Sequence, residues 1–331
     1  MTAGNDAERV LGKLTAGIEE STNQTAAKYD WPSASSDSLD QLAFQYAVTV
    51  RDFLEPYMRN QSKLKREMGQ RVRVKGTDNP TYAVDYVGGH VLALLLQRWR
   101  RAGNHGGWSI FNEEDERFIH TAHAPRRKII TDPFDNTTFG MVGYRDCNVA
   151  ICIADENNQF LNCAVADLQT DAVYFANRTG SWLYYVSGGT IERHHELHTA
   201  SKTDLDGCYL IVPHFKRERR IAFGRTPLFS EKVQTFNMGG PLAICRLAEG
   251  RDNEIHAYLD FDEGKNGQPI YEIVYFAIAI KAGAYVTDME GNEFDFAALV
   301  SSLEKDPKAR YRFVAACTRE LHEKILSKVA R

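Results

Sequence analysis

Residues 129–140 read IITDPFDNTTFG. An apolar β-branched run leads into two carboxylates, Asp132 and Asp135, set three residues apart, and then into a Thr-Thr-Phe-Gly turn. β-branched residues favour strands, so the stretch predicts a strand that ends in a tight turn with two negative charges on the same side. Like charges held this close need a cation. Asp132 and Asp135 can each hold a metal ion, with the carbonyl of Phe134 between them. The backbone N–H groups of Asn136 and Thr137 then open a short helix, and a helix start suits a phosphate.

Further carboxylates lie at the ends of other expected elements. Asp85 stands early in a helix in PTYAVDYVGG (80–89), Glu113 and Glu114 follow a strand in SIFNEED (109–115), and Glu272 opens an apolar helix in PIYEIVYFA (269–277). Oxygen ligands gathered from distant parts of a chain are what hard divalent cations take. Any one of these acids alone reads as a helix cap or a solvated turn residue. The set together with the DPxDxT string argues for a site.

The chain has 331 residues, enough for one large domain or two smaller ones sharing a cleft. It is 43% hydrophobic and 25% charged, an ordinary globular composition that excludes a disordered or fibrous chain. A net charge of -4 argues against nucleic acid or an anionic membrane as the main partner. The basic run FKRERR (215–220) reads most simply as a solvated face, the alternative being that it draws an anionic substrate inward. Six cysteines show no CxxC spacing, as expected of buried reduced thiols in a cytoplasmic protein. No secretory leader is evident, and no run approaches the ~18 apolar residues of a membrane span.

Residues 1–37 read as an N-terminal extension with one short docking helix, whose stripe is Val10, Leu11, Leu14 and Ile18. A helix capped at Ser38 follows, carrying Leu39, Leu42, Tyr46, Phe53, Leu54 and Tyr57 until Pro56 disturbs its last turn. A second helix is expected over about 81–101. From Ser109 short β-rich runs between Asn, Asp and Gly turns predict a mostly antiparallel sheet. After about residue 205 strands and helices alternate. The expected organisation is an α+β half at 38–203 carrying the DPxDxT segment, and an α/β half at 204–331 closing the cleft.

The segment DPFDNTT after KII resembles the DPxDGT signature of the inositol monophosphatase family of magnesium-dependent phosphatases, whose superfamily includes fructose-1,6-bisphosphatase. FNEED resembles that family's Glu-Glu segment, and VKGTDNPTYAVD its Lys…Thr-x-x-Asp stretch. MGGPLAICRLAEG resembles its Gly-Ser-Ala-Ala helix, and YEIVYFAIAIKAGAYVTDMEG its WDxAAG…EAGGxVTDxxG block. Order and spacing match over 39–325. The resemblance implies a layered αβαβα sandwich of the α/β class. It implies two or three magnesium ions held by Glu113, Asp132, the Phe134 carbonyl, Asp135 and Glu272. Asp85 and Thr137 would orient and deprotonate the attacking water, with Lys75 near the site, and the Asn136 and Thr137 amides would bind phosphate. His214, Gly239, Gly240 and Asp260 match the substrate end. The implied partners are a small phosphorylated metabolite, a sugar or cyclitol monophosphate, and a second copy in a homodimer.

Three departures bear on the substrate. Asn136 replaces the family's Gly, Tyr271-Glu272 replaces Trp-Asp, and about five extra residues lie within DEGKNGQP (262–269). A nucleoside phosphate or bisphosphate is therefore the alternative substrate. The alternative of another class is a catalytically weak regulatory protein that binds a phosphate ligand. Two look-alikes fall away. HHELH (194–198) is not the H-E-x-x-H zinc box, and NHGG (104–107) lacks the strand–loop–helix setting of a nucleotide cradle.

Overall fold

The computed structural model describes residues 3–28, 38–72, 81–102, 106–143, 146–187, 190–214, 217–250, 255–261 and 267–329. The chain divides into two compact units. Met1–Asn157, Leu161–Phe175 and Tyr184–His194 make the first, and Asn158–Phe160, Ala176–Leu183 and His195–Arg331 the second. The units are thus interleaved in sequence, whereas the sequence reading places one break after residue 203.

Eight strands make one sheet, in the order Thr190–Glu196, Ser181–Ser187, Ala172–Asn177, Phe160–Asp167, Asn148–Asp155, Arg127–Asp135, Trp108–Asn112, Arg117–His120. Arg127–Asp135 pairs antiparallel with Asn148–Asp155 and parallel with Trp108–Asn112. These two long strands are buried along nearly their whole length. That accounts for their near-continuous apolar sequence in place of a polar alternation.

In the first unit the helix Ser38–Met58 packs on Asn148–Asp155, and Ala83–Arg101 packs on Arg127–Asp135. Leu42, Tyr46, Val50 and Leu54 line the buried face of the earlier helix. The Tyr46 hydroxyl bonds Thr131 Oγ1 at 2.9 Å, and Thr131 donates its own hydrogen to the Ala150 carbonyl at 2.9 Å. Thr131 has one hydrogen, so Tyr46 is the donor in the first bond. Pro56 lies inside that helix, which runs on to Met58. Gly88 sets the approach of the later helix: a Cβ there would lie 2.4 Å from Pro133 Cβ and 2.7 Å from the Tyr46 oxygen. A mid-helix glycine costs about 1 kcal/mol relative to alanine. Here only a residue without a Cβ fits.

The N-terminal helix is longer than expected, Ala3–Lys28, and packs on both of these helices. Leu14, Ile18, Thr22 and Thr25 are its buried stripe, and Arg98 donates to the Thr22 carbonyl at 3.2 Å. The side chains of Val10 and Leu11 lie outside the described residues.

The second unit is built on a five-stranded sheet in the order Val233–Phe236, Cys208–Ile211, Ala257–Asp260, Phe313–Ala316, Tyr285–Asp288. The first three are parallel, and the last two join antiparallel. Every residue named along the helix Gly240–Ala248 except Arg246 is buried. Tyr258 and Phe276 each meet Phe313 edge-on with ring centroids 4.8 Å apart, the arrangement that the ring quadrupole favours. All six cysteines are free and buried. No described helix is long and apolar enough to cross a membrane.

Candidate active site

The IITDPFD stretch forms the strand Arg127–Asp135, and its pairing explains how two aspartates three apart share a face. In a regular strand, residues i and i+3 point to opposite sides. Asp132 pairs with Ala150 and Asp135 with Asn148, so three steps on one strand match two on its partner. Positions two apart on the partner lie on one face, and the extra residue brings Asp132 and Asp135 to one face as well. Pro133, which has no N–H to give a ladder, sits within this irregularity, as proline in strands does. Both aspartates are buried. Asp132 Oδ1 accepts from the Phe134 N–H at 3.2 Å, while Asp135 Oδ2 accepts from the side-chain amides of Asn136 at 3.0 Å and Asn148 at 2.7 Å.

Asn136 caps the six-residue helix Thr137–Val142 in the left-handed region, φ 64° and ψ 37°. This explains the exchange with glycine, because asparagine tolerates that conformation better than other side chains. Its amide also donates to the Asp146 carbonyl at 2.8 Å. The side chain is therefore tied to Asp135 and Asp146. Nearby, burial and then the Asp135 charge push the Cys147 thiol up to about 12. The protonated thiol donates to the Asn136 carbonyl at 3.8 Å and is no nucleophile at neutral pH.

Asp85 is the third residue of Ala83–Arg101, and its Oδ2 accepts the Tyr82 N–H at 3.2 Å. The capping role weighed in the sequence is thus real, and it occupies one oxygen. The other oxygen, Oδ1, lies 3.1 Å from Thr137 Oγ1, which is also 2.8 Å from the Phe134 carbonyl. One hydroxyl hydrogen faces two acceptors, so Thr137 serves one of them at a time. Glu113, half-buried, opens the 3-10 turn Glu113–Asp115. It lies one residue past the Asn112↔Thr131 pair of a parallel ladder, so the register runs on to Asp132.

Among the described residues, no group of three or more His, Cys, Asp or Glu side chains is gathered closely enough to hold a metal ion. Asp132 and Asp135 are turned onto amide donors of their own unit. The donor set still fits a hard cation in kind: buried carboxylates on one face of a bulge, a main-chain carbonyl and a hydroxyl, with no sulfur or imidazole among them.

In the second unit the C-terminal ends of the parallel strands bring the expected substrate residues together. After Cys208–Ile211 comes His214, whose N–H donates to Asn237 Oδ1 at 2.9 Å, beyond Val233–Phe236. His214 Nδ1 lies 2.6 Å from the Val212 carbonyl, which can only accept, so the proton sits on Nδ1. Gly239 precedes the helix Gly240–Ala248, and Gly240 has φ 73°. Asp260, at the end of Ala257–Asp260, is buried and paired with Arg219 at 3.0 Å. This corrects the reading of FKRERR as a solvated face. Arg217, Glu218 and Arg220 are exposed, but Arg219 is buried, because a helix turns one residue in three or four inward. Glu272 is half-buried in Ile270–Ile273 of the same unit.

Lys75 and residues 262–266 of the expected insertion lie outside the described residues. In HHELH, His198 is exposed and His195 half-buried, on and just past the strand Thr190–Glu196. Sequence reasoning missed Gly88, Asn148 and Arg219. Gly88 carried a signal, since a glycine pair inside a helical pattern marks close packing. Asn148 and Arg219 carried none, as their roles depend on strand register and on a partner 41 residues away.

No protein-family model matches the sequence, and no curated protein does. Solved structures do match. The extragenic suppressor protein SuhB of Bartonella henselae superposes with a TM-score of 0.62 at 16% identity, covering 88% of this chain and 98% of its own. A hypothetical Pyrococcus horikoshii protein with similarities to inositol-1 monophosphatase gives 0.61 at 18%, covering 90% and 100%. An inositol monophosphatase from Zymomonas mobilis gives 0.58 at 15%, covering 87% and 96%. The chain has the fold of these inositol monophosphatase and SuhB structures.

Proposed function

We propose that the protein is a magnesium-dependent phosphomonoesterase that hydrolyses a small phosphorylated metabolite. The observation that carries this reading is the bulge that sets Asp132 and Asp135 on one face, with Thr137 Oγ1 in hydrogen-bond reach of both Asp85 and the Phe134 carbonyl. The likeness to solved inositol monophosphatases supports it through the fold.

Asp132, Asp135, the Phe134 carbonyl and Glu113 would hold magnesium, and the sequence resemblance adds Glu272. The bound ion supplies neutralisation of the phosphate dianion and a water of lowered pKa. The proton chemistry falls to Asp85 and Thr137. Thr137 Oγ1 takes a proton from the attacking water as its own hydrogen passes to Asp85 Oδ1, the oxygen that does not cap the helix. Asn136 and Thr137 would present main-chain N–H groups to the phosphate. Asn148 orients Asp135 through its 2.7 Å bond.

Phosphate release from a panel of sugar, cyclitol and nucleotide phosphates tests the reading. Activity should require magnesium and vanish with EDTA. Undiminished release in chelator rules out the metal mechanism, and release from no ester favours a phosphate-binding role.

A further inference from the structure

The helix Thr137–Val142 has six residues, and a helix that short does not hold itself together in water. Its start is fixed by Asn136, whose side chain is tied to Asp135 and Asp146. Its last carbonyls have no partner within the helix. The Gly143 N–H reaches those of Phe139 and Gly140. Gln61 comes to the same end from outside, with Nε2 2.7 Å from the Gly140 carbonyl and 3.0 Å from the Met141 carbonyl. Carbonyls only accept, so the amide nitrogen faces them, and its two hydrogens serve one each.

Gln61 heads a segment that also reaches the helix of Asp85. Residues 61–68 make a helical turn and then a wider π-type turn, which the Gly69 N–H closes on the Leu64 carbonyl at 3.0 Å. Turns of this kind are rare and recur at functional sites. Leu64 and Met68 are buried, and their turn packs on both Ser38–Met58 and Ala83–Arg101. A Cβ at Gly69 would lie 2.7 Å from the Lys65 carbonyl oxygen and 3.2 Å from Met141 Sδ, so glycine lets the turn close against the short helix. Arg71 then pairs with Tyr82, and the Gln70 carbonyl accepts the Ala83 N–H at 2.8 Å. Residues 61–71 thus hold the end of one helix and the start of another. Thr137 Oγ1 and Asp85 Oδ1, one from each helix, meet at 3.1 Å. All of these residues belong to the first unit.

We propose that Gln61 is a positioning residue for this proton pair: by clamping the end of Thr137–Val142 it keeps the Thr137 hydroxyl on Asp85. That hydroxyl has one hydrogen and two acceptors. Its bond to the Phe134 carbonyl, 2.8 Å away, is local and survives a shift of the short helix, whereas the bond to Asp85 needs both helices in place. Without the clamp the hydrogen settles on Phe134, and the route to Asp85 is lost. Asn136 keeps its own ties, so the main-chain N–H groups at the helix start stay where they are. This rests on the phosphatase reading above and adds a residue that acts through a helix, away from the substrate. A Gln61 that only stabilised the fold would leave turnover per folded molecule unchanged.

Gln61→Glu keeps the shape but removes the donor, and Gln61→Lys restores a donor of the kind that suits a helix end. On the full chain with magnesium, using the ester cleaved fastest, Gln61→Glu should lower kcat by about tenfold or more while KM stays within about threefold, as for a misplaced catalytic group. Gln61→Lys should recover most of the rate. An unchanged kcat in Gln61→Glu, a loss confined to KM, or an equal loss in both variants overturns the role. A second arm needs no turnover. Thr137→Val removes the hydroxyl, so Gln61→Glu should lower the urea midpoint less in that background than in the wild type, because both changes remove one shared contact. Additive midpoint losses overturn the role. If the wild type cleaves no ester, the phosphatase reading falls, and this arm alone decides whether Gln61 holds Thr137 on Asp85. If Gln61→Glu does not fold, Gln61→Ala replaces it in both arms.

Discussion

Two charge arrangements in this molecule arise in opposite ways. Asp132, Phe134, Asp135, Asn136 and Thr137 lie within six consecutive residues, and a bulge, a left-handed asparagine and a helical turn set their geometry. Arg219, Asp260, Gly267 and Arg310 come from separate stretches of the second unit and meet where parallel strands end. The first needs little more than its own backbone and one partner strand. The second exists only once a sheet has been assembled from non-adjacent segments. A compact motif can thus be read locally, while pairs that join distant segments stay scattered.

Substitutions can break this contrast. The largest effect is expected from Asp85→Asn, which keeps a hydrogen-bonding side chain near Thr137 but removes the base. It should lower kcat by roughly 100-fold or more with little change in KM, as for loss of a general base. A loss confined to KM would make Asp85 a binding or structural residue. Glu272→Gln tests the ligand role that the sequence resemblance gives this residue. A lost ligand should exceed the roughly 10–100-fold of groups that only orient ligands, and should weaken magnesium in a metal titration. If Glu272 only favours its helix dipole, worth about 0.3–1 kcal/mol, turnover and magnesium affinity stay near normal.

Gly88→Ala should destabilise the protein by about 1–3 kcal/mol through overpacking against Pro133, seen as a lower urea midpoint. An unchanged midpoint would mean that the helix shifts freely over the strand below it.

The smallest effect concerns pH in the second unit. His322 is buried, with Nε2 2.9 Å from Thr287 Oγ1. Burial lowers the His322 pKa. The neutral ring's contribution is therefore present in full above the ordinary histidine range and is lost as pH falls through the lowered value. Urea midpoints at pH 7.5 and 5.5 should differ more in the wild type than in His322→Gln.

Legibility followed locality. The strand at 129–135, the turn, the helix carrying Asp85 and the alternating pattern after residue 205 could all be read, because their periods and caps are written in neighbouring residues. The extent of the N-terminal helix could not, since polar residues such as Thr22 and Thr25 are buried only by packing on other helices. The burial of Arg219 inside a basic run was hidden for a similar reason: a charge run looks solvated until one of its members finds a carboxylate.

The amino-acid sequence by itself carried the case for the kind of chemistry proposed. Its oxygen-rich DPFDNTT segment, with Asp85 and Glu113 at element ends, is what points to a hard cation and a phosphate, because ligand type is a property of side chains and short spacings. Only the tertiary structure decided that a bulge in the strand is what puts Asp132 and Asp135 on one face, that Thr137 reaches Asp85, and that Arg219 and Arg310 meet at Gly267. Each of these depends on strand register or on helix approach. Those are set by packing between segments far apart in the chain, where no local pattern can specify which partner is met.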